Sequence, residues 1–159
     1  MNYIFDLDDT LILHHNKEVR YDWICEDIEL SYHLDQCQGK KYILTNGTRS
    51  HAETILEKMK LRDKFERVFT REDFGYKPDL QVFQKVHHAI QGDDLSPSRI
   101  LFFDDMYGNL ISAKRLGWST CWIHPYYESA IFNDSIDDGY QNIKDALRYL
   151  NQSIKYKYR

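Results

Sequence analysis

The sequence predicts an α/β fold in which a parallel sheet is covered by helices on both faces. Three observations point there. Short apolar runs alternate with helical patterns along the chain. The runs are apolar at successive positions, as in strands buried on both sides. Acidic or hydroxyl residues directly follow several of the runs, and ligands of open parallel sheets bind beyond the carboxyl ends of the strands.

Each element has its own signal. Tyr3-Ile4-Phe5 is the first strand and stops at acids. A helix is expected near 21–36, from Ile24, Ile28 and Tyr32 at spacings of four. Lys41-Tyr42-Ile43-Leu44 is the second strand, ending in Thr45-Asn46-Gly47-Thr48. An amphipathic helix near 49–61 puts Ala52, Ile55, Leu56 and Met59 on one face. Arg67-Val68-Phe69-Thr70 is a short third strand, and Asp79 belongs to the first turn of a helix carrying Phe83, Val86 and Ile90 inward. Ser96-Pro97 marks a break, and Ile100-Leu101-Phe102-Phe103 is the fourth strand. A helix near 107–116 ends at Gly117, a C-cap residue. Thr120-Cys121-Trp122-Ile123 is the fifth strand, 126–140 reads as an acidic loop, and 141–151 as a final helix. Domain boundaries follow: one domain over 1–151, and a basic tail over 152–159 containing Lys155 to Arg159.

Composition narrows the function classes. A chain of 159 residues with 42% hydrophobic content suits one folded domain. The net charge of −4 argues against unspecific nucleic-acid binding, which favours a basic surplus. Cys25, Cys37 and Cys121 show no zinc spacing and read as reduced thiols. The N-terminus lacks the pattern of a signal peptide, and no apolar run approaches the ~20 residues of a membrane span. A soluble, cytoplasmic protein with no membrane partner is expected.

Four stretches carry the chemistry. Asp6, Asp8 and Asp9 crowd three carboxylates at a strand end, tolerable beside a hard divalent cation or in solvent. Thr45-Asn46-Gly47-Thr48 offers hydroxyl and N–H groups for phosphate oxygens, or an ordinary helix cap. Lys77, followed by Pro78 in what reads as a first helical turn, could neutralise a phosphoryl group or a carboxylate cluster, or sit in a surface turn. Asp104-Asp105 follows a buried strand, as a second arm of a metal site or as helix-terminal charge.

In this order, DxDxT, T-N, K-P and D-D, the chain from Tyr3 to about His124 resembles the haloacid dehalogenase-like (HAD) hydrolase superfamily. A receiver domain has the same ingredients in a different order. The resemblance implies a Rossmann-like three-layer α/β sandwich and Mg²⁺-dependent phosphoryl transfer through an aspartyl-phosphate. It implies Asp6 as nucleophile and metal ligand, and Asp8 as general acid and base with its backbone carbonyl on the metal. It implies Thr45 and Asn46 as phosphate binders, Lys77 as the charge-offsetting cation, Asp105 as the direct metal ligand, and Asp104 as a metal ligand either directly or through water. Asp8 then needs a pKa high enough to carry a proton. Thr10 is expected to stabilise its turn.

Two branches compete. Thr45-Asn46, His51-Ala52, Lys77-Pro78 and Phe102-Phe103-Asp104-Asp105 look like the pyrimidine 5′-nucleotidase-like branch. Yet only 11–40 separates the first two motifs, and 71–76 precedes the lysine, which leaves no room for a sizeable cap. Here, and in Asn109 and Leu116-Gly117, the chain is similar to small magnesium-dependent phosphatases. The expectation is a HAD-like phosphoric monoester hydrolase without a sizeable cap, open enough for a phosphorylated macromolecule. The alternatives are a non-catalytic HAD-fold binding or scaffold protein, and a polynucleotide or nucleotide phosphatase. His14, His15 and Arg20 in the flap near 11–20 are candidate specificity contacts, although a histidine pair in a loop is more often solvated. His51 either approaches the site or lies on a helix surface, His87-His88 is structural, and His124 could rim the site. The tyrosines and Trp23, Trp118 and Trp122 read as packing.

Overall fold

The computed structural model describes residues 1–92 and 99–157. The expected break at Ser96-Pro97 and the last two tail residues lie outside them. Among the described residues, six parallel strands form one sheet in the order β3-β2-β1-β4-β5-β6. The strands are β1 (Asn2–Phe5), β2 (Lys40–Leu44), β3 (Arg67–Phe69), β4 (Ile100–Asp104), β5 (Ser119–Ile123) and β6 (Asp138–Tyr140). The helices are α1 (Ile28–Gln36), α2 (Arg49–Lys58), α3 (Arg71–Phe74), α4 (Leu80–Gln91), α5 (Tyr107–Arg115) and α6 (Ile143–Lys157). The expected α/β sandwich with a central parallel sheet is the observed one.

Period-two burial divides the core. Tyr3, Phe5, Ile43 and Phe103 point to one face, where Leu30 and Leu34 of α1, Ala52, Ile55 and Leu56 of α2, and Ala146 and Leu147 of α6 cover them. Ile4, Tyr42, Leu44 and Phe102 point to the other, under Val82, Phe83 and Val86 of α4 and Leu110 and Ala113 of α5. Phe5 stacks on Phe103 at 4.8 Å between centroids. Phe83 and Phe102 both pack against Trp118, whose indole N–H donates to His87 Nδ1 at 2.9 Å. His87 is structural, as expected. No helix among the described residues is long and apolar enough to cross a membrane.

Topology sets the place of the site. From β1 the chain steps outward to β2 and β3, then returns to the far side of β1 as β4. That reversal opens a crevice beyond the carboxyl ends of β1, β2 and β4. In register, Phe5 lies beside Ile43 and Phe103, so Asp6, Thr45 and Asp104 come out at one edge.

Four expectations need correction. The helix placed at 21–36 begins only at Ile28, because Asp27 caps it by accepting from Leu30 N–H at 2.9 Å. Tyr21–Trp23 is a separate 3₁₀ turn. Ile28 and Tyr32 face solvent at 72% and 57% exposure, while Leu30, His33 and Leu34 are buried, so the spacing of four followed the wrong face. Pro78 precedes the N-cap Asp79 rather than sitting in the first turn. The segment 126–140 holds a 3₁₀ stretch (Tyr127–Phe132) and the edge strand β6. Finally, α6 runs through position 151 to Lys157, so the helix does not end at the proposed start of the tail.

Asp137 anchors that unexpected edge. Its carboxylate accepts from the buried Thr120 N–H at 2.9 Å and pairs with Lys114, and Thr120 Oγ donates to Ser135 C=O at 2.7 Å. Burial opposes the Asp137 charge, but Lys114 and Thr120 outweigh it and hold the pKa below the ordinary carboxylate value. Asp137→Ala is expected to cost about 1–2 kcal/mol at pH 7 by urea unfolding. A depressed folded pKa gives stability that is present above the unfolded value of ~3.9 and lost below it. The difference between the two proteins should therefore shrink as pH falls through 4; a constant difference would contradict this role.

Candidate active site

Lys77 occupies the centre of the crevice. Its Nζ lies 2.9 Å from Asp6 Oδ1 and 2.7 Å from Asp104 Oδ2. All three groups are buried, the Asp104 side chain completely. Burial opposes the lysine charge, but the two carboxylates outweigh it and hold the pKa above its ordinary value. The lysine is fixed through its backbone. Asn46 Oδ1 accepts from Lys77 N–H at 2.7 Å, and Asn46 Nδ2 donates to Lys77 C=O at 3.1 Å. The peptide bond from Lys77 to Pro78 is cis, and Ser112 on α5 donates to Pro78 C=O at 2.6 Å. Asn46, expected beside a phosphate, is therefore also the clamp on the lysine loop.

The carboxylates divide into two groups. Asp6, Asp104 and Asp105 each offer an oxygen within 4.8 Å of the others. Asp104 has several protein partners: besides Lys77, its Oδ2 accepts from Asn109 Nδ2 at 3.0 Å and its Oδ1 from Met106 N–H at 2.8 Å. Burial and the Asp6 charge raise its pKa to about 6, against the pull of Lys77. Asp105 has no such cation. Burial first, then its hydrogen-bond contact with Asp6 and the neighbouring charges, push its pKa up to about 8. Three hard oxygen donors, one of them short of a counter-charge, fit a divalent cation of the Mg²⁺ type.

Asp8 faces away from this cluster, towards two imidazoles. His14 Nε2 lies 2.5 Å from Asp8 Oδ1, and His51 Nε2 lies 2.9 Å from both carboxylate oxygens. Burial works to raise the Asp8 pKa, but the histidine hydrogen bonds outweigh it and hold it below the ordinary value. The sequence called for an elevated value here; the pair of histidines reverses the sign. Thr45 is buried, and its Oγ accepts from Gly47 N–H at 3.0 Å.

The fold thus brings Asp6, Thr45, Asn46, Lys77, Asp104 and Asp105 to one crevice, with Asp8 on its histidine side. Four further residues were missed or undervalued. Thr10 donates to the Asp6 carboxylate at 3.1 Å within its own turn, as expected, and also lies 3.4 Å from Asp105 Oδ1, well beyond it. Asn109 holds Asp104. His14 and His51 both reach Asp8, whereas Arg20 lies over Trp23 at 4.6 Å and pairs with Glu18. Histidine content near the flap was visible, but nothing local to 14 or 51 indicates a shared partner at 8. His124 stacks on Trp122 at 4.7 Å, beside the end of β5.

Removing Lys77 would leave Asp6 and Asp104 without their cation. Lys77→Met is expected to cost about 3–5 kcal/mol in urea unfolding, because a buried charge loses its partner. In an Asp104→Asn background the cost should drop by roughly half, since fewer negative charges then need it. Equal costs in both backgrounds would contradict the coupling.

Comparison with known proteins agrees with this geometry. The family model described as haloacid dehalogenase-like hydrolase matches residues 13–123, which include Thr45, Lys77, Asp104 and Asp105 but begin after Asp6 and Asp8. An (S)-2-haloacid dehalogenase from Pseudomonas sp. (strain YL) is 30% identical over 86 residues, 54% of this chain and 36% of that protein. The L-2-haloacid dehalogenase from Xanthobacter autotrophicus with chloropropionic acid covalently bound superposes with TM-score 0.61 at 16% identity, over 82% of this chain and 62% of the other. The HAD-hydrolase YfnB from Bacillus subtilis, bound to magnesium, gives TM-score 0.63 at 22% identity, over 76% and 54%. The chain spans 36% of the curated relative and 54–62% of these solved chains. On the strength of the family match over residues 13–123, the chain belongs to the haloacid dehalogenase-like hydrolases.

Proposed function

We propose that this hydrolase is a Mg²⁺-dependent phosphatase that cleaves phosphomonoesters through an aspartyl-phosphate on Asp6. The observation that carries the reading is the cluster of Asp6, Asp104 and Asp105 within 4.8 Å, which the single ammonium of Lys77 only partly offsets. A site that gathers this much negative charge suits a divalent cation, and with it an anionic phosphoryl group. When bound by Asp6, Asp104, Asp105 and the Asp8 backbone carbonyl, Mg²⁺ supplies positive charge that removes repulsion between a carboxylate nucleophile and phosphate.

The protein's own groups do the rest. An Asp6 oxygen donates an electron pair to phosphorus, and the bond from phosphorus to the ester oxygen breaks. That oxygen keeps the bonding pair and takes a proton from Asp8. Lys77 and Thr10 hold the Asp6 carboxylate in place, and Lys77 with Thr45 and the nearby backbone N–H groups meets the phosphoryl oxygens. Water then attacks the phosphorus of phospho-Asp6, its proton passing to Asp8. The bond to Asp6 breaks, inorganic phosphate leaves, and both aspartates return to their starting states. An approaching phosphoryl anion raises the proton affinity of Asp8, opposing the depression by the histidines.

The relatives named as haloacid dehalogenases favour a second reading, displacement of halide from a 2-haloacid by Asp6. Halide leaves without a proton, so the displacement step gives no task to a proton donor at Asp8, and that reaction gives none to a cation at Asp105. The segment between β1 and β2 holds two 3₁₀ turns and α1 among the described residues. That segment is short, and we infer that a phosphate carried on a large molecule enters past the flap, whose His14 and Tyr21 reach Asp8 and His51.

With p-nitrophenyl phosphate, turnover should require Mg²⁺, vanish with a chelator, and fall on the order of 10⁴-fold or more in Asp6→Asn. Chloride release from L-2-chloropropionate without any phosphatase turnover would overturn the reading. Separately, Mg²⁺ should raise the Tm of the wild-type protein. Asp105→Asn should melt higher than wild type without metal, because it relieves carboxylate crowding, and should lose the Mg²⁺-dependent rise.

A further inference from the structure

The Asp8 carboxylate is held from two sides. His14 comes from the flap after β1, and its own backbone N–H donates to Asp9 Oδ1 at 3.1 Å. His51 comes from the first turn of α2, where Thr48 caps its backbone N–H at 3.1 Å. A third residue aims the second one. Tyr21 of the flap places its hydroxyl 2.6 Å from His51 Nδ1, with the rings edge to face at 5.7 Å. Nε2 of a neutral His51 must carry the hydrogen to bond a carboxylate, so Nδ1 is the acceptor and Tyr21 the donor. Tyr21 thereby selects the tautomer that presents N–H to Asp8. The neighbouring backbone leaves space for the ring: a Cβ on Gly47 would lie 2.7 Å from His51 Cδ2.

We propose that His51, aimed by Tyr21, and His14 are positioning residues that hold the Asp8 carboxyl group in a single orientation for proton transfer to the leaving oxygen. The inference rests on the phosphatase reading and deepens it. Neither imidazole touches the ester. His14 contacts Oδ1 and His51 contacts both oxygens, which together restrict rotation about the Asp8 side chain. The two tethers come from different elements, the flap after β1 and the first turn of α2, and Tyr21 ties the flap to α2 directly. A substrate whose leaving oxygen is a weak base needs little help from Asp8. A strongly basic leaving oxygen needs the proton in the transition state, and for it a misaligned Asp8 is costly.

The test compares kcat/KM for p-nitrophenyl phosphate and phenyl phosphate, both with Mg²⁺, in wild type, His51→Leu, His51→Gln and Tyr21→Phe. His51→Leu should lose about 10²-fold on phenyl phosphate and less than tenfold on p-nitrophenyl phosphate. Gln can place an N–H near the position of Nε2, so His51→Gln should recover most of the loss. Tyr21→Phe removes one partly exposed hydroxyl, guards against a folding defect, and should show the same substrate bias at smaller size. Equal losses on both substrates, or a Gln variant no better than Leu, would overturn the positioning role and leave the phosphatase reading standing. Absence of turnover in the wild-type protein would overturn both. An independent readout is the imidazole ¹⁵N spectrum of the resting protein: His51 should report an Nε2–H tautomer that loses its fixed population in Tyr21→Phe. A spectrum indifferent to Tyr21 would also sink the proposal.

Discussion

A buried ammonium between two buried carboxylates organises this crevice. Lys77 contacts Asp6, just past the end of β1, and Asp104, at the end of the adjacent β4, and desolvated charges are stable only when paired and hydrogen-bonded. Its neighbours meet that condition from several elements. Asn46, after β2, fixes the lysine backbone. Asn109 and the Met106 N–H satisfy Asp104, and Ser112 ties the same loop to α5. Displacing any one of these ends disturbs a group that cannot be left unpaired. The stability of the site and its geometry are therefore the same problem.

One cation does not balance three acids. Lys77 spends its contacts on Asp6 and Asp104, which leaves Asp105 with a raised pKa of about 8 and an unmet need for positive charge. Asp8 experiences the opposite field, with two imidazoles drawing its pKa down. Carboxylates two residues apart in sequence thus have different surroundings. Asp6 is aimed into a charge-dense cluster, and Asp8 is turned towards proton-bearing rings. Adjacent groups with divergent environments are a usual mark of assigned acid–base roles.

Much of the fold was legible from local pattern. β1, β2 and β4 are buried on both faces, so they read as unbroken apolar runs, and α2 and α4 show plain apolar stripes. The elements that escaped lacked such signals. β6 is three residues, Asp138–Tyr140, with no fully buried position; it is held by backbone bonding to β5 and by the anchor at Asp137. The start of α1 was misplaced because two apolar residues, Ile28 and Tyr32, lie on the solvent face. A cap from Asp27, rather than periodicity, determines where that helix begins.

By itself the sequence determined the order of the first five strands and the longer helices, and the polar residues that follow β1, β2 and β4, because both follow from short-range backbone and burial preferences. It also placed Asp6, Thr45 and Asp104 at one edge, since parallel strands must all point the same way, whereas Lys77 was assigned there only by the family resemblance. Tertiary structure alone decided how those groups pair. The bond between His51 and Asp8 spans 43 residues, and the one between Tyr21 and His51 spans 30. Such contacts depend on how far a flap folds over a helix end, a quantity set by packing between elements. No spacing rule within either segment encodes it.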